Sequence, residues 1–386
     1  MSRNPGLPSL ALTSLTRRRF AAAAGAVGAA GLAPLALGSC SSGSPAVSYA
    51  DAVQSTWHRQ SAAVASGRPL LEELVRCATL APSSHNTQCW KFAIQEHSIS
   101  ILPDLSRRCP AVDPDDHHLF VSLGCAAENL VQAALAHGLR AEPSWDTGGA
   151  MGDSLRVQLE PSRANPSELY AAMFDRQCTR ADFNGQPLPN DELKLLERAG
   201  TGTGVQLLIL SDKTATEKML EYIVNANTRQ IEDPAFVAEL KHWIRFGDAE
   251  AIRSGDGLFS RASGNPTVPR WLGEMLFARF FTPARENDKY ARQVRSSAGI
   301  AMFVSEKNDK AHWIEAGRCY ERFALQATAQ GIRNAMLNQP VEVASVRPGL
   351  ARAFALGDRR PDLVVRFGRA PEMPRSLRRP VQAVLA

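Results

Sequence analysis

Two stretches of the chain place apolar residues three and four positions apart, which is the spacing of one face of a helix. In the first stretch these residues are Leu123, Ala127, Leu130 and Ala134. In the second they are Ala316, Tyr320, Phe323 and Ala327. A glycine follows each stretch, at Gly138 and Gly331, where helices commonly end in the left-handed conformation. The pattern predicts two long core helices.

Short apolar runs surround both predicted helices and indicate strands. One run precedes each helix and another follows it, at residues 99–102 and 155–159 in the first case and 300–304 and 363–367 in the second. Each half also begins with a helix that leads into a strand. In the first half the helix is predicted at 71–78 and its strand at 90–94. In the second half the helix begins after Pro189 and its strand is predicted at 205–210. The same order of elements occurs twice, which predicts an α+β fold.

A direct sequence repeat supports this duplication. Residues 124–138 align with 317–331 without a gap and share five identities, at two glycines, one glutamate and two alanines. We therefore expect two similar halves, at 69–165 and 166–386, that form an intramolecular pseudo-dimer.

An insert at about 231–297 has no counterpart in the first half and carries an unusual share of the aromatic residues. A long insert of this kind is either a packed subdomain or a lid over a site. If it is a lid, the glycine- and serine-rich turns at 254–257 and 263–266 are its predicted hinges, because glycine absorbs backbone rotation easily.

The first 39 residues have the layout of a cleaved export signal. Arg17, Arg18 and Arg19 precede an uncharged run from Ala21 to Leu37 that is too short and too weakly apolar to span a membrane. The segment from Thr16 to Phe20 resembles the twin-arginine signal, with a general secretory signal as the alternative.

Residues 37–40, Leu-Gly-Ser-Cys, resemble a lipobox, which implies that Cys40 is lipidated. Residues 40–68 would then form a tether and N-terminal segment. These features predict a protein of the periplasm or cell envelope that engages the twin-arginine machinery and touches the membrane only through a possible lipid anchor.

Charge argues against a nucleic-acid partner. The 386 residues are 44% apolar and 22% charged, as in soluble globular proteins. Four of the 44 basic residues, Arg3 and Arg17–Arg19, lie in the signal, so 40 basic residues face 39 acidic residues in the remainder. A near-neutral chain lacks the electrostatic footprint of nucleic-acid binding.

Three polar segments have the chemistry to hold a flat, phosphorylated ligand. Residues 81–92 form a Ser/Asn loop between a helix and a strand, and such a loop offers donors and acceptors to a heterocycle. Arg176 and Arg180 lie four apart with a hydroxyl between them and can converge on a phosphate. Residues 375–380 add further arginines near the C-terminus. Each segment alone is also compatible with an ordinary turn, a solvated face or a basic tail.

The order of these segments resembles the nitroreductase family. Residues 176–183, Arg-Gln-Cys-Thr-Arg-Ala-Asp-Phe, followed by Pro-Leu-Pro and a helix, are similar to the opening of its domains. Residues 81–92, Ala-Pro-Ser-Ser-His-Asn-Thr-Gln-Cys-Trp-Lys-Phe, resemble the loop after its first helix. The resemblance runs from about Leu70 to the end and is greatest for the Acg-like branch, in which one chain mimics the usual dimer.

The resemblance implies an FMN site built from both halves. Arg176, Cys178 and Thr179 would face the phosphate, and Arg180 would face the N1/O2 side of the ring. The ring or ribityl chain would contact Pro82, Ser83, Ser84 and Asn86. Asn338 and Gln339 would lie beside N5, and Arg378 or Arg379 would complete the phosphate site. Cys178 departs from the family's usual serine, and Cys89 from its usual proline.

The resemblance also implies a function and a stoichiometry. The expected activity is two-electron transfer through flavin N5 to a nitroaromatic or quinone, with NAD(P)H as a possible donor. The alternative is a flavin-sequestering protein with little reductase activity. The first half lacks an arginine motif ahead of its loop, and the second half reduces its loop to residues 200–204. We therefore expect one FMN in a monomeric chain.

A histidine- and aspartate-rich segment at 113–118 has the composition of a metal site. Aspartates ahead of an apolar helix are more simply explained as helix caps, and we favour that interpretation, with no metal expected.

Overall fold

The computed structural model describes residues 47–60, 66–149 and 152–386. The predicted signal at 1–39, Cys40 and most of the predicted tether lie outside the described residues. Within the described part, residues 47–386 form a single compact unit.

The first half contains a four-stranded sheet and its helices. In chain order its elements are α1 (Tyr49–Trp57), α2 (Arg68–Thr79), β1 (Trp90–Gln95), β2 (Ser98–Pro103), α3 (His117–Ala136), β3 (Leu139–Gly149) and β4 (Gly152–Pro161). The strand order is β1-β2-β4-β3, and all neighbours are antiparallel.

The second half repeats this arrangement with additional helices. It begins with α4 (Glu168–Met173), α5 (Asn190–Ala199), β5 (Val205–Leu210), α6 (Lys213–Glu232), α7 (Pro234–Trp243), β6 (Ile244–Arg245), α8 (Asp248–Ser254) and β7 (Leu258–Phe259). It continues with α9 (Arg270–Phe280), α10 (Pro283–Arg295), β8 (Gly299–Ser305), α11 (Lys310–Ala329), β9 (Arg333–Met336), α12 (Gln339–Glu342), α13 (Arg347–Ala353) and β10 (Arg360–Gly368).

The two large sheets share one topology. The second sheet has the order β5-β8-β10-β9, again antiparallel throughout, so each strand occupies the position of its counterpart in the first sheet. The predicted α+β fold with two similar halves and an insert is confirmed. A two-residue turn joins β1 to β2, whereas residues 211–298 join β5 to β8, so the inserted material begins about 20 residues before the predicted 231.

The two halves meet where α3 crosses α11. A Cβ on Gly124 would collide with the carbonyl oxygen of Ile314, and a Cβ on Gly317 would collide with that of Val121. The contacts are reciprocal, as expected for an approximate two-fold axis between the copies. The shared glycines of the repeat therefore allow the two helix backbones to approach closely. Helix α3 is long and apolar enough to cross a membrane, but 78% of its apolar window is buried inside the fold.

The C-terminal residues bind the first half. The backbone N–H of Phe92 donates to Val384, and that of Ala386 donates to Phe92, which extends the first sheet beside β1. Helix α1, which the sequence pattern did not predict, packs on the same C-terminal segment. The hydroxyl of Tyr49 donates to the carbonyl of Arg375, and the indole of Trp57 donates to that of Ser376.

The insert is a packed subdomain as well as a cover. Trp243, Phe246 and Phe259 are buried within it. Phe281 and Tyr290 line a cavity between the halves, whereas Trp271 on α9 is 69% exposed.

Candidate active site

Two adjoining cavities lie where the halves meet. The smaller cavity has a volume of about 70 Å³ and the larger about 260 Å³. Both are lined by Pro82, Ser83, Cys178, Arg180 and Leu258. The predicted Ser/Asn loop and the predicted arginine motif thus come together from opposite halves of the chain.

Four arginines line the smaller cavity: Arg176, Arg180, Arg375 and Arg378. The guanidinium of Arg378 donates to the carbonyls of Thr79, Leu80 and Ala81 at the C-terminal end of α2. Burial, reinforced by the charge of Arg176, lowers the pKa of Arg378 to about 9. An anion bound here would favour the charged form of this guanidinium and so offset the effect of burial.

Arg176 is held by a buried carboxylate. Its Nη2 donates to the carbonyl of Leu80 at 2.8 Å, and its Nε lies 3.2 Å from Oε1 of Glu321. Burial raises the pKa of Glu321 to about 7, against the opposing charge of Arg176. Glu321 is the glutamate of the sequence repeat, and its role in placing the arginine was not predicted.

Two further donors at the smaller cavity have spare capacity. The side-chain oxygen of Gln177 accepts from the hydroxyl of Thr179 and the N–H of Met373, which orients its amide. Its Nε2 is buried and has no partner among the described residues. The guanidinium of Arg180 makes no hydrogen bond to any residue that the structure describes, although Arg180 lines both cavities. Gln177 was not predicted as a site residue, although its position inside the arginine motif could have indicated that it lies at the site.

Positive charge is in excess around the smaller cavity. The four arginines are opposed by two nearby carboxylates, those of Glu321 and Asp175. Asp175 pairs with Arg375 at 3.0 Å and its side chain is 68% exposed, so solvent weakens its effect. The arrangement suits a phosphate dianion.

The Ser/Asn loop has an unusual backbone. His85, Asn86 and Gln88 have φ of 50°, 54° and 54°, in the left-handed region that non-glycine residues seldom adopt. Hydrogen bonds hold this conformation, including one from the N–H of Gln88 to the hydroxyl of Ser83. Such strained backbone often occurs at binding sites. Pro82, Ser83 and Ser84 face the larger cavity, whereas Asn86 lines the smaller one.

The amide group of Asn86 is committed to the protein. Its Nδ2 donates to the carbonyls of Gly257 and Leu377. It therefore joins the loop, the insert and the C-terminal segment, in addition to lining the smaller cavity.

Asn338 and Gln339 lie in the larger cavity, at the start of α12. The Oδ1 of Asn338 accepts from the N–H of Val364 at 3.0 Å, which fixes its amide. The Oε1 of Gln339 is buried without a partner among the described residues. Both side chains keep hydrogen-bonding groups for a ligand in this cavity.

Two of the predicted residues point elsewhere. Thr179 is fully buried, lines neither cavity and bonds Gln177. Arg379 donates to the carbonyls of Gln88 and Ala383 and also lines neither cavity. Of the two candidate C-terminal arginines, Arg378 is therefore the one at the smaller cavity.

The insert supplies a mixed wall to the larger cavity. Its apolar part comes from Phe236, Leu240 and Phe281. Its polar part includes Gln230, while His118 of α3 and Glu342 of α12 add polar groups from outside the insert. A flat ligand with polar edges matches this lining.

The insert is fastened to the Ser/Asn loop by a latch, which we define as Asp256 with Arg107 and Arg245. The carboxylate of Asp256 pairs with Arg107, and with Arg245 at 2.7 Å. The N–H of Gly257 also donates to Asn86, and the amide of Gln88 donates to Gly255. The turn at 254–257 is thus fixed at both ends. The sequence pattern did not reveal these distant partners, and the role of this turn as a hinge stays a prediction.

The pseudo-symmetric position of the site is filled. The repeat alignment pairs Ser122 and Cys125, which line the larger cavity, with Glu315 and Arg318. These two longer side chains form an ion pair at 2.8 Å. Arg322 donates to the carbonyl of Ala199 and pairs with Glu128, much as Arg176 does with Leu80 and Glu321. Charged side chains thus pair with one another at this position.

The segment at 113–118 has structural partners. Both carboxylate oxygens of Asp113 accept from backbone N–H groups in the first turn of α3. The Nε2 of His117 lies 2.8 Å from Asp362. Asp113, His117 and His118 are close enough together to share a metal ion, but helix capping accounts for the position of Asp113.

The chain has relatives among mycobacterial proteins. It is 26% identical over 302 residues to Rv3131 of Mycobacterium tuberculosis, which covers 76% of this chain and 83% of that protein. It is 22% identical over 341 residues to Acg of the same organism, covering 82% and 95%. Both names provisionally denote NAD(P)H nitroreductases. The names of these relatives support a relationship of this chain to the nitroreductase family. No family model matches the chain.

Two solved structures with some likeness to the fold are described as nitroreductases. An FMN-bound nitroreductase of Bacteroides fragilis has a TM-score of 0.33 at 14% identity and covers 53% of this chain and 89% of its own. The FMN-dependent NfnB of Mycobacterium smegmatis, in complex with NADPH, has a TM-score of 0.35 at 14% identity and covers 53% and 87%.

Proposed function

We propose that this chain is an exported FMN-dependent oxidoreductase of the nitroreductase type, which passes two electrons to a flat electrophile such as a nitroaromatic or quinone. The observation that carries the proposal is the set of arginines around the smaller cavity, with the free donors of Gln177 and Arg180. The names of the relatives by sequence support the same activity.

The residues of both cavities fit FMN. The excess positive charge and unpartnered amide of the smaller cavity suit the phosphate. The larger cavity, with apolar and polar walls, suits the ring. When bound, FMN supplies the redox chemistry by accepting two electrons and passing them to a second substrate.

The protein's own groups then bind, orient and exclude water. Arg180, placed between the cavities, would stabilise negative charge on the reduced ring. The Ser/Asn loop would hold the ring edge, and Asn338 and Gln339 would hydrogen-bond beside its reacting face. The insert would exclude water through Phe236, Leu240 and Phe281. NAD(P)H is the proposed donor.

We expect one FMN per chain. The first position is open between the halves, and Glu315, Arg318 and Arg322 fill its pseudo-symmetric counterpart. Acid release and chromatography of the purified protein should give close to one FMN per polypeptide. Two flavins per chain, or FAD in place of FMN, would contradict the proposed site.

A flavin-sequestering protein is the second candidate, and the latch favours it. Asp256 pairs with Arg107, whose guanidinium also donates to the carbonyl of Thr87, so largely buried charges fix the insert to the Ser/Asn loop. A cover that stays closed would retain FMN but slow its reaction with every donor. Stopped-flow reduction with NADPH and with dithionite distinguishes the two functions, because an enzyme reacts rapidly with its own donor.

We also propose that folded protein is exported by the twin-arginine pathway. Changing Arg17 and Arg18 to lysine preserves the charge but removes the recognition pair. We expect the variant precursor to remain in the cytoplasm, as measured by fractionation and immunoblotting. Undiminished export would instead indicate the general secretory route.

A further inference from the structure

We propose that His118 and Glu342 form a proton-donating pair at the wall of the larger cavity, which recognises and protonates an oxygen of the bound electron acceptor. This inference rests on the proposed function and deepens it, since it identifies acceptors with a hydrogen-bond-accepting oxygen, such as quinones, as the substrate class.

The tautomer of His118 follows from its contacts. Its Nε2 lies 3.2 Å from the carbonyl oxygen of Asp362. A carbonyl can only accept, so Nε2 carries a hydrogen. The Nδ1 atom is buried without a hydrogen-bond partner among the described residues, in a side chain that is 4% exposed and lines the larger cavity. The free nitrogen is thus available to a ligand.

Glu342 is the acid that can share a proton with this nitrogen. Its Oε1 lies 3.8 Å from Nδ1 of His118, while its Oε2 accepts from the amide of Gln230 at 2.7 Å. Among the described residues, Oε1 of Glu342 receives no hydrogen bond. Burial raises the pKa of this carboxyl group, so it holds a proton more readily than an exposed glutamate.

Several other charged and titratable groups surround His118. These groups are Asp113, His117, His85, Asp362 and Arg347. The carboxylate of Asp113 caps α3, and that of Asp362 accepts from Ser305 and contacts His117. They are therefore less suited to pair with Nδ1.

The other titratable groups of the cavity are poor proton donors near neutral pH. Burial, together with the charge of Arg180, lowers the pKa of His85 to about 4, so its ring is neutral. Burial raises the pKa of Tyr290 far above neutrality, so its hydroxyl keeps its proton. His118 with Glu342 remains as the pair that can hold and release a proton.

For a quinone acceptor, the proposed proton and electron transfers account for all atoms and electrons. The reduced flavin of the proposed function supplies one hydride equivalent, which carries both electrons. The Nδ1–H bond of protonated His118 breaks as an O–H bond forms on the quinone oxygen, which gives the hydroquinone. His118 is left neutral with its hydrogen on Nε2 and Glu342 as a carboxylate, and the pair then takes one proton from solvent.

The first experiment measures binding without turnover. Duroquinone is titrated into the oxidised holoprotein, which cannot reduce it, and the flavin absorption spectrum reports binding across a pH series. We expect binding to weaken as the pH rises. His118→Gln should retain one FMN but bind duroquinone several-fold more weakly at low pH, with no pH dependence.

The second experiment follows a single turnover of dithionite-reduced holoprotein with duroquinone. We expect His118→Gln to lower the rate by about 100-fold, the scale of a lost general acid, and to flatten its pH profile. Glu342→Gln removes the carboxylate beside Nδ1, so we expect it to lower the rate and change its pH profile. The matched control is His97→Gln, because His97 and Glu96 form a similarly spaced pair at 3.7 Å on the surface.

The outcomes separate the two proposals. A wild-type chain that retains no FMN contradicts the proposed function and this inference with it. Retained FMN with a wild-type pH profile in His118→Gln overturns the pair alone, as does an unshifted profile in Glu342→Gln. If the wild-type holoprotein does not turn over, pH-independent duroquinone binding likewise overturns the pair.

Discussion

Replacing Arg180 by alanine is expected to weaken FMN binding by about tenfold or more. Its guanidinium lies between the two cavities and makes no hydrogen bond to the described protein, so a ligand is its natural partner. A hydrogen bond to a charged group contributes about 1.5–3 kcal/mol, and about 1.4 kcal/mol corresponds to tenfold in affinity. Fluorescence titration of apoprotein with FMN measures the change.

Arg176→Ala should reduce FMN retention as well, but for two reasons. It removes a phosphate contact and leaves Glu321 buried without its partner, and breaking a buried pair costs about 3–5 kcal/mol of stability. Thermal unfolding should therefore detect Arg176→Ala more strongly than Arg180→Ala. Arg295→Ala is the control, because Arg295 pairs with Glu217 on the surface. Unchanged FMN affinity in both site variants would reject the proposed phosphate and ring contacts.

Asp256→Asn is expected to open the cover over the site. The change leaves Arg107 and Arg245 without their shared carboxylate, close to the Ser/Asn loop that the turn at 254–257 holds. We expect FMN to dissociate at least about tenfold faster and dithionite to reduce the flavin faster, since the loss of a largely buried ion pair exceeds 1.4 kcal/mol. Stopped-flow absorption and FMN release into excess apoflavodoxin measure both rates.

The stabilisation that the latch provides should decrease as the pH falls. Burial opposes ionisation of Asp256, but hydrogen bonds and charge from Arg245 and Arg107 dominate and lower its pKa. The contribution of the latch is thus present above the ordinary aspartate pKa and is lost as the pH falls through the lowered value. Asp248→Asn, which removes an exposed pair with Arg261, should leave both rates unchanged. Equal rates in Asp256→Asn and wild type would show that the latch does not control access.

The sequence predicted the elements with strong local patterns. The core helices, the glycines that follow them and the central strands agree with the structure, because burial on one or both faces leaves a regular apolar spacing. Strand β3 was missed because Pro143 and polar residues disguise it, and its position at a sheet edge tolerates a proline. Helix α1 was missed because its partners lie more than 300 positions away.

The site was predicted only where a motif marks it. Ser83, Arg176 and Arg180 belong to recognisable segments, and the structure brings those segments together. His118 looked like part of a helix cap, since a sequence does not show that its ring faces a cavity. Asp256 and Arg107 are 149 positions apart, and no local pattern predicts their pairing. Glu321 is a charged residue within an otherwise apolar helical pattern. Because a buried charge is nearly always paired, this position could have indicated a partner such as Arg176.

The crossing at Gly124 and Gly317 has an evolutionary consequence. In a homodimer one gene encodes both copies of such a helix, so a substitution that blocks one site blocks both. Joining the copies in one polypeptide lets each accumulate its own mutations, provided the two glycines keep the helices in contact. Arg318 could therefore replace the counterpart of Cys125 in one copy alone. A duplicated chain can thus lose one of two equivalent binding positions while it keeps the other.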